Sequence, residues 1–261
     1  MERYLTDRYL RLPDGTLPHL GVKGGDVAPY VLLTGNPERL EKMIVHLDDV
    51  RTVGRRRGYI AYTGFYRGVP VTAATSGVGA PSMVIALEEL ADTGGEVFIR
   101  VGSCASIAPD VPVGAIIIAT AGVRDEGASH AYAPAIYPAV ADHEVVTALR
   151  AAAQVSRAAC HIGLVRSTDS FYTGERDTEV INRWRALRVL AFEMESSALF
   201  TIAAVLGRRS GSILVPGSNL ITGQSTYRGE QTEQFTAGVD AAIAIAFGAI
   251  ERLHQTSGAR G

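Results

Sequence analysis

Residues 30–47 read YVLLTGNPERLEKMIVHL. The opening six form a short apolar run closed by Gly35, the signal of a buried strand, and the remainder places its apolar residues at helical spacing. The same alternation continues along the chain. YIAYTGFYRGVPVTAATSG (59–77) is a strand, a turn at Arg67-Gly68 and a second strand, the pattern of a hairpin. PSMVIALEELADTGG (81–95) is an amphipathic helix opened by Pro81 and closed by Gly94. EVFIRVGSC (96–104) and GAIIIATAGV (114–123) are apolar strands, VVTALRAAAQVSR (145–157) is a helix, and CHIGLVRSTDSF (160–171) is a strand and loop. SSALFTIAAVLG (196–207) is a helix, SGSILVPGSN (210–219) a strand, and residues 230–255 a long C-terminal helix. Strands alternating with helices predict an α/β fold with a mixed or mainly parallel sheet and helices on both faces, and no domain boundary appears, so one domain is expected over residues 1–261.

Composition narrows the function classes. Hydrophobic residues make up 47% of the 261, enough for a sizeable core. Lys and Arg number 25 against 27 Asp and Glu, a net charge of −2, which gives no electrostatic reason to expect nucleic acid or an acidic membrane as partner. No segment approaches the ~20 consecutive apolar residues of a membrane span. Cys104 and Cys160 have neither metal-ligand spacing nor a disulfide framework, and MERYLTDRYLRLPDG at the N-terminus is charged from the start, unlike a secretory signal. These features predict a cytoplasmic protein.

In sheets of this kind ligands bind beyond the carboxyl ends of the strands. Those positions carry Gly35-Asn36-Pro37-Glu38-Arg39, Ser76-Gly77-Val78-Gly79, Arg100-Val101-Gly102-Ser103-Cys104, Phe171-Tyr172 and Ser218-Asn219. Backbone N–H groups of Gly and Ser beside two arginines suit an anion such as phosphate. Arg39 alone would read as a surface residue at a helix start. Arg100 would not, because it ends an apolar run where a solvated charge is out of place. No cluster has metal-ligand spacing, and no G-x-S-x-G elbow supports serine hydrolysis.

AFEMESSALF (191–200) sets Glu193 and Glu195 around Met194 in an otherwise apolar stretch. Buried carboxylates need partners. They could complement the positive end of a helix dipole, or they could serve a ligand.

The ordered series PHL, LLTGNPERL, RGYIAYTGFYRGVPV, SGVGAPS…EEL, RVGSC, DSFYTG and AFEMESSALF spans nearly the whole chain. In this order it resembles the nucleoside phosphorylases of the uridine phosphorylase and hexameric bacterial purine nucleoside phosphorylase type. The resemblance implies an enzyme, a pentosyltransferase, that cleaves the N-glycosidic bond with inorganic phosphate as co-substrate and no cofactor or metal. It also implies a homo-oligomer, a hexamer built as a trimer of dimers, with active sites shared between subunits. Carried over, Gly35, Arg39, Arg100 and Ser103 hold phosphate, with Arg57 arriving from the neighbour. Glu195 receives the ribose hydroxyls, Met194 lies against the sugar, Glu193 supports them, and the neighbour's His19 meets the 5′-hydroxyl. Phe171, Arg176 and Asn219 face the base, and Arg100, Glu195 and Asn219 carry the chemistry.

Departures from the family pattern bear on specificity. Asn36 replaces a usual Asp, which should spare the backbone phosphate contact. Gly58 stands where some relatives have a glutamate that helps to bind a monovalent cation. In FYTGERDTE, Glu175 replaces the glutamine of the uridine enzymes while Arg176 remains. Asn219 stands where aminopurine-accepting relatives have aspartate, and a neutral amide can offer N–H but not protonate a base. The expectation is a carbonyl-bearing base: uridine first, inosine or guanosine as the alternative, and little activity on adenosine. A nucleosidase or a non-catalytic nucleoside-binding protein would be expected to have lost Arg39, Arg57 and Arg100, or Glu195.

Overall fold

The computed structural model describes residues 9–156, 159–172 and 177–258. Strand β1 is Tyr30–Thr34, and all five of its residues are buried. Its side chains alternate between two hydrophobic cores: Val31 and Leu33 enter one, Tyr30 and Leu32 the other. A run buried on both faces is therefore continuously apolar, as read from the sequence. Full burial of Leu32 or Leu33 is worth about 1.5–3 kcal/mol each.

After β1 come helix α1 (Pro37–Ile44) and strands β2 (Asp48–Arg56), β3 (Tyr59–Tyr66) and β4 (Val69–Thr75). Helix α2 (Ala80–Asp92), β5 (Val97–Ser106), β6 (Ile116–Asp125), β7 (Ala139–Val140) and helix α3 (His143–Ser156) follow. The chain continues through β8 (Cys160–Thr168), α4 (Thr178–Ala186), β9 (Val189–Glu193), α5 (Ser196–Val205), β10 (Arg209–Asn219) and α6 (Thr232–Gly258). The strands make one mixed sheet in the order β10-β6-β8-β9-β5-β1-β4-β3-β2, with β7 on β6. Because β10 also pairs with β5, five strands (β10, β6, β8, β9 and β5) close on themselves, and the other four extend from β5. The predicted mixed α/β architecture is the one observed.

Four elements were not legible, the shortest of them the two-residue β7. β2 is exposed along most of its length at the sheet edge, so it lacks an apolar signal. β9 is a five-residue strand directly abutting α5, and its apolar run merges with the helix that follows. α4 fully buries only Ile181, with Val180 and Trp184 partly buried beside it, so its apolar face is short. The helix after β1 also stops at Ile44 rather than continuing to Leu47, because β2 begins at Asp48.

Contrary to the sequence expectation, Thr232–Thr256 within α6 is long and apolar enough to meet the length and composition of a membrane span. Half of that stretch is buried inside the fold, with Ile243, Phe247 and Ile250 in the second core. It packs as a core helix.

Candidate active site

The site forms where β1, β5 and β10 end beside the N-termini of α1, α2 and α5. Asn36 caps α1, its side chain accepting from the Glu38 N–H at 2.9 Å, and Pro37 occupies the first turn where no donor is needed. This cap turns Arg39 inward. Arg39 is 6% exposed, and its Nη1 donates to Val101 O at 3.2 Å and Thr34 Oγ1 at 3.3 Å. Its Nε is buried with no partner among the described residues. Burial, and after it the nearby Arg100, lowers the Arg39 pKa to about 10, so it stays charged at neutral pH.

Arg100 is paired with Leu33 in the β1–β5 register, which brings it beside the β1 end and Arg39. Two residues on and on the same strand face, Gly102 leaves room for the guanidinium. A Cβ there would stand 2.7 Å from Arg100 Cζ and 2.8 Å from Leu214 Cδ2. Arg100 is 4% exposed and donates to Glu195 Oε2, and its Nε lies 3.5 Å from Glu193 Oε2.

The two carboxylates divide their labour. Glu193 caps α5: it accepts from the N–H groups of Glu195 (2.9 Å) and Ser196 (2.8 Å) and from the hydroxyls of Ser196 (2.9 Å) and Ser167. Glu195 turns away from that helix. Its Oε1 accepts from the Gly79 N–H at 2.6 Å, where φ is +87° at the start of α2, and its Oε2 accepts from Arg100. Burial raises the Glu195 pKa, and Arg100 opposes the shift. The helix-dipole reading thus describes Glu193, while Glu195 borders the cavity with the Gly79 N–H and Arg100 on its oxygens. Glu193 itself is not free to meet a sugar: its side chain is 0% exposed and its oxygens are occupied within the protein.

These groups border a cavity of about 400 Å³. Its lining combines Gly35, Arg39, Arg100 and Ser103 with Glu195 and Met194 and with the aromatic and apolar Phe171, Phe192, Leu220 and Tyr227. Phe171 stands edge-on to Tyr227, ring centroids 6.2 Å apart. Cationic, carboxylate and apolar groups around one cavity suit a ligand with phosphate, sugar and base parts.

Comparison with known proteins agrees. The sequence profile described as "Phosphorylase superfamily" matches residues 29–251. The chain belongs to this superfamily. The uridine phosphorylase of Thermococcus kodakarensis is 39% identical over 91% of this chain and 90% of its own length. That of Treponema pallidum is 37% identical over 90% and 93%, and the guanosine phosphorylase of Halorubrum lacusprofundi 35% over 90% and 98%. The crystal structure of uridine phosphorylase from Vibrio fischeri, complexed with 6-hydroxy-1-naphthoic acid, superposes with a TM-score of 0.86 at 33% identity, covering 92% of this chain and 98% of that one. This phosphorylase-superfamily member is an enzyme, a pentosyltransferase of the nucleoside phosphorylase fold.

Other expected site residues lie apart. Asn219 is 1% exposed and does not border the cavity. Its Nδ2 donates to Ala108 O and Val111 O, both at 2.9 Å, and its Oδ1 accepts from the N–H groups of Ile221 (2.9 Å) and Thr222 (3.0 Å). An amide with all of these bonds made has nothing to offer a base, so the catalytic and base-binding role expected of Asn219 is corrected to that of a loop clamp. Arg57 and His19 do not border the cavity of their own chain. Arg176 and Glu175 lie outside the described residues.

The cavity residues left unassigned from the sequence include Phe192, Cys104, Thr226 and Tyr227. Phe192 sits in an apolar stretch, and Thr226 and Tyr227 follow β10 in a stretch with no periodic signal. Burial pushes the Cys104 thiol well up, which leaves it an unreactive wall residue.

Proposed function

We propose that this enzyme cleaves uridine by phosphorolysis in the cytoplasm, giving uracil and ribose 1-phosphate. The observation that carries the reading is the pair Arg39 and Arg100 in a cavity whose lining also holds Glu195 and the aromatic rings of Phe171, Phe192 and Tyr227. Phosphate binds between the two guanidiniums, the Gly35 backbone and Ser103, and one of its oxygens points at C1′. As the C1′–N1 bond breaks, its electron pair leaves with the uracil, which then takes up a proton. Positive charge grows on the ribose and is flanked by phosphate and Glu195. The phosphate oxygen then forms the new bond to C1′. Met194 lies against the sugar and Phe171 flanks the base.

Uridine is favoured over a purine by the names of the relatives, most of which are uridine phosphorylases. The guanosine phosphorylase relative keeps guanosine as the second reading. Retention of Arg39, Arg100 and Glu195 argues against a water-using nucleosidase and against a non-catalytic binding protein.

The assembly in this proposal is a hexamer, a trimer of dimers, with shared sites. Arg57 supports it: the residue is exposed at the β2–β3 turn, takes φ +50° ahead of Gly58 at +85°, and has no partner among the described residues. A left-handed conformation is costly for a residue other than glycine, and a free cation held there is placed to serve something outside its own chain. Arg57 then completes the neighbour's phosphate site and His19 meets the neighbour's ribose 5′-hydroxyl. Initial rates with uridine, guanosine, inosine and adenosine, each with phosphate, test the choice of base. Uridine should lead and adenosine should trail, and a guanosine preference would overturn the assignment.

A further inference from the structure

Helix α2 carries a buried carboxylate with no part in the chemistry above. Glu89 is 5% exposed, yet its oxygens gather three donors from one short segment. Its Oε1 accepts from the His19 N–H at 3.0 Å and lies 2.8 Å from His19 Nδ1, and its Oε2 accepts from the Leu20 N–H at 2.7 Å. The segment is already held without the imidazole contact. Leu17 and Leu20 are fully buried in the core, and the Leu17 N–H donates to Val22 O at 2.7 Å. The ring contact is therefore an addition to the anchoring, and it has a chemical consequence.

A carboxylate only accepts, so Nδ1 must carry the proton and Nε2 of the neutral ring must present a lone pair. The side chain of His19 remains 34% exposed, so the ring is aimed outward from a rigid base. We infer that Glu89 is a positioning residue for the reaction: it fixes the tautomer and direction of His19 so that Nε2 accepts the ribose 5′-hydroxyl in the adjoining subunit's site. This rests on the role given to His19 under the proposed function. The same arrangement strengthens Nε2 as an acceptor, as carboxylates behind histidines do elsewhere.

The test compares uridine with 5′-deoxyuridine, which lacks the hydroxyl, at saturating phosphate. His19→Ala should lower kcat/KM for uridine about tenfold and for 5′-deoxyuridine less than about twofold. Glu89→Gln should lower the uridine value by about threefold to tenfold, mostly through KM, spare 5′-deoxyuridine, and add nothing in the His19→Ala background. Equal losses on both substrates would make Glu89 a fold anchor only, and no loss on either would also overturn the inference. If His19→Ala discriminates between the substrates and Glu89→Gln does not, the inference fails while the role of His19 stands. If His19→Ala itself does not discriminate, the role of His19 fails and the inference with it; phosphate dependence is read separately. Should Glu89→Gln not fold, the ¹⁵N shifts of the His19 ring in the unaltered enzyme decide. A proton on Nδ1 with Nε2 unprotonated supports the inference, and a proton on Nε2 contradicts it.

Discussion

Arg100 and Glu195 are hydrogen-bonded to each other, although one lies within strand β5 and the other stands at the start of helix α5. Both side chains are about 5% exposed, so each is the other's main compensation for burial. Removing one partner of such a pair strands a charge, at a cost of about 3–5 kcal/mol. In the proposed reaction the pair joins the phosphate and ribose contacts into one electrostatic unit.

Arg100→Ala should consequently do two things at once. It should raise the phosphate KM and lower kcat, and it should destabilise the fold by about 3–5 kcal/mol in urea unfolding. A variant as stable as the parent would show that the pair is not sealed from water.

The ionisation of Glu195 sets a pH dependence. The carboxylate form is the one that accepts ribose hydroxyls, and burial raises its pKa against the opposition of Arg100. As pH falls through that raised value the group protonates and activity drops, so the acid limb of kcat/KM for uridine should lie above 4.5. Glu195→Gln should lack that limb and lose about 10²–10³ in kcat. A limb that persists in the variant belongs to another group.

Gly102→Ala tests the space behind Arg100. The new methyl would meet Arg100 Cζ at 2.7 Å, so the guanidinium must shift. The expected outcome is a raised phosphate KM with little change in the KM for uridine. Unchanged phosphate kinetics would mean that the guanidinium has slack.

Much of this was legible in the sequence, and the gaps have physical causes. β1, β5 and β10 announce themselves because strands buried on both faces must be apolar throughout, and Arg100 stands out against that background. Glu193 and Asn219 were legible as polar residues at the right strand ends but not in role. Whether a polar side chain faces a cavity or bonds to backbone two or three residues away is decided by local geometry: the Glu195 and Ser196 N–H groups take Glu193, and those of Ile221 and Thr222 take Asn219. Glu89 was legible only as part of a motif, since its partner His19 is seventy positions away in sequence.

Asn219→Asp separates the two readings of that residue. An aspartate cannot donate to Ala108 O and Val111 O, so the loop loses two buried bonds and about 1–3 kcal/mol or more. The ratio of adenosine to uridine cleavage should stay as it was. A rise in that ratio would return Asn219 to the base site.

Shared sites predict complementation. Arg57→Ala and Glu195→Ala subunits, each inactive alone, should regain part of the activity when mixed into one oligomer, because some sites then receive both native residues. Verified mixed oligomers that stay inactive would place each site within a single subunit.

Phosphorolysis itself is tested most directly by incubating the enzyme with uridine in the presence and absence of phosphate and identifying the sugar product. The two guanidiniums lining the cavity predict cleavage only with phosphate, with one ribose 1-phosphate formed for each uracil released. Equal rates in phosphate-free buffer, with free ribose as the product, would contradict it.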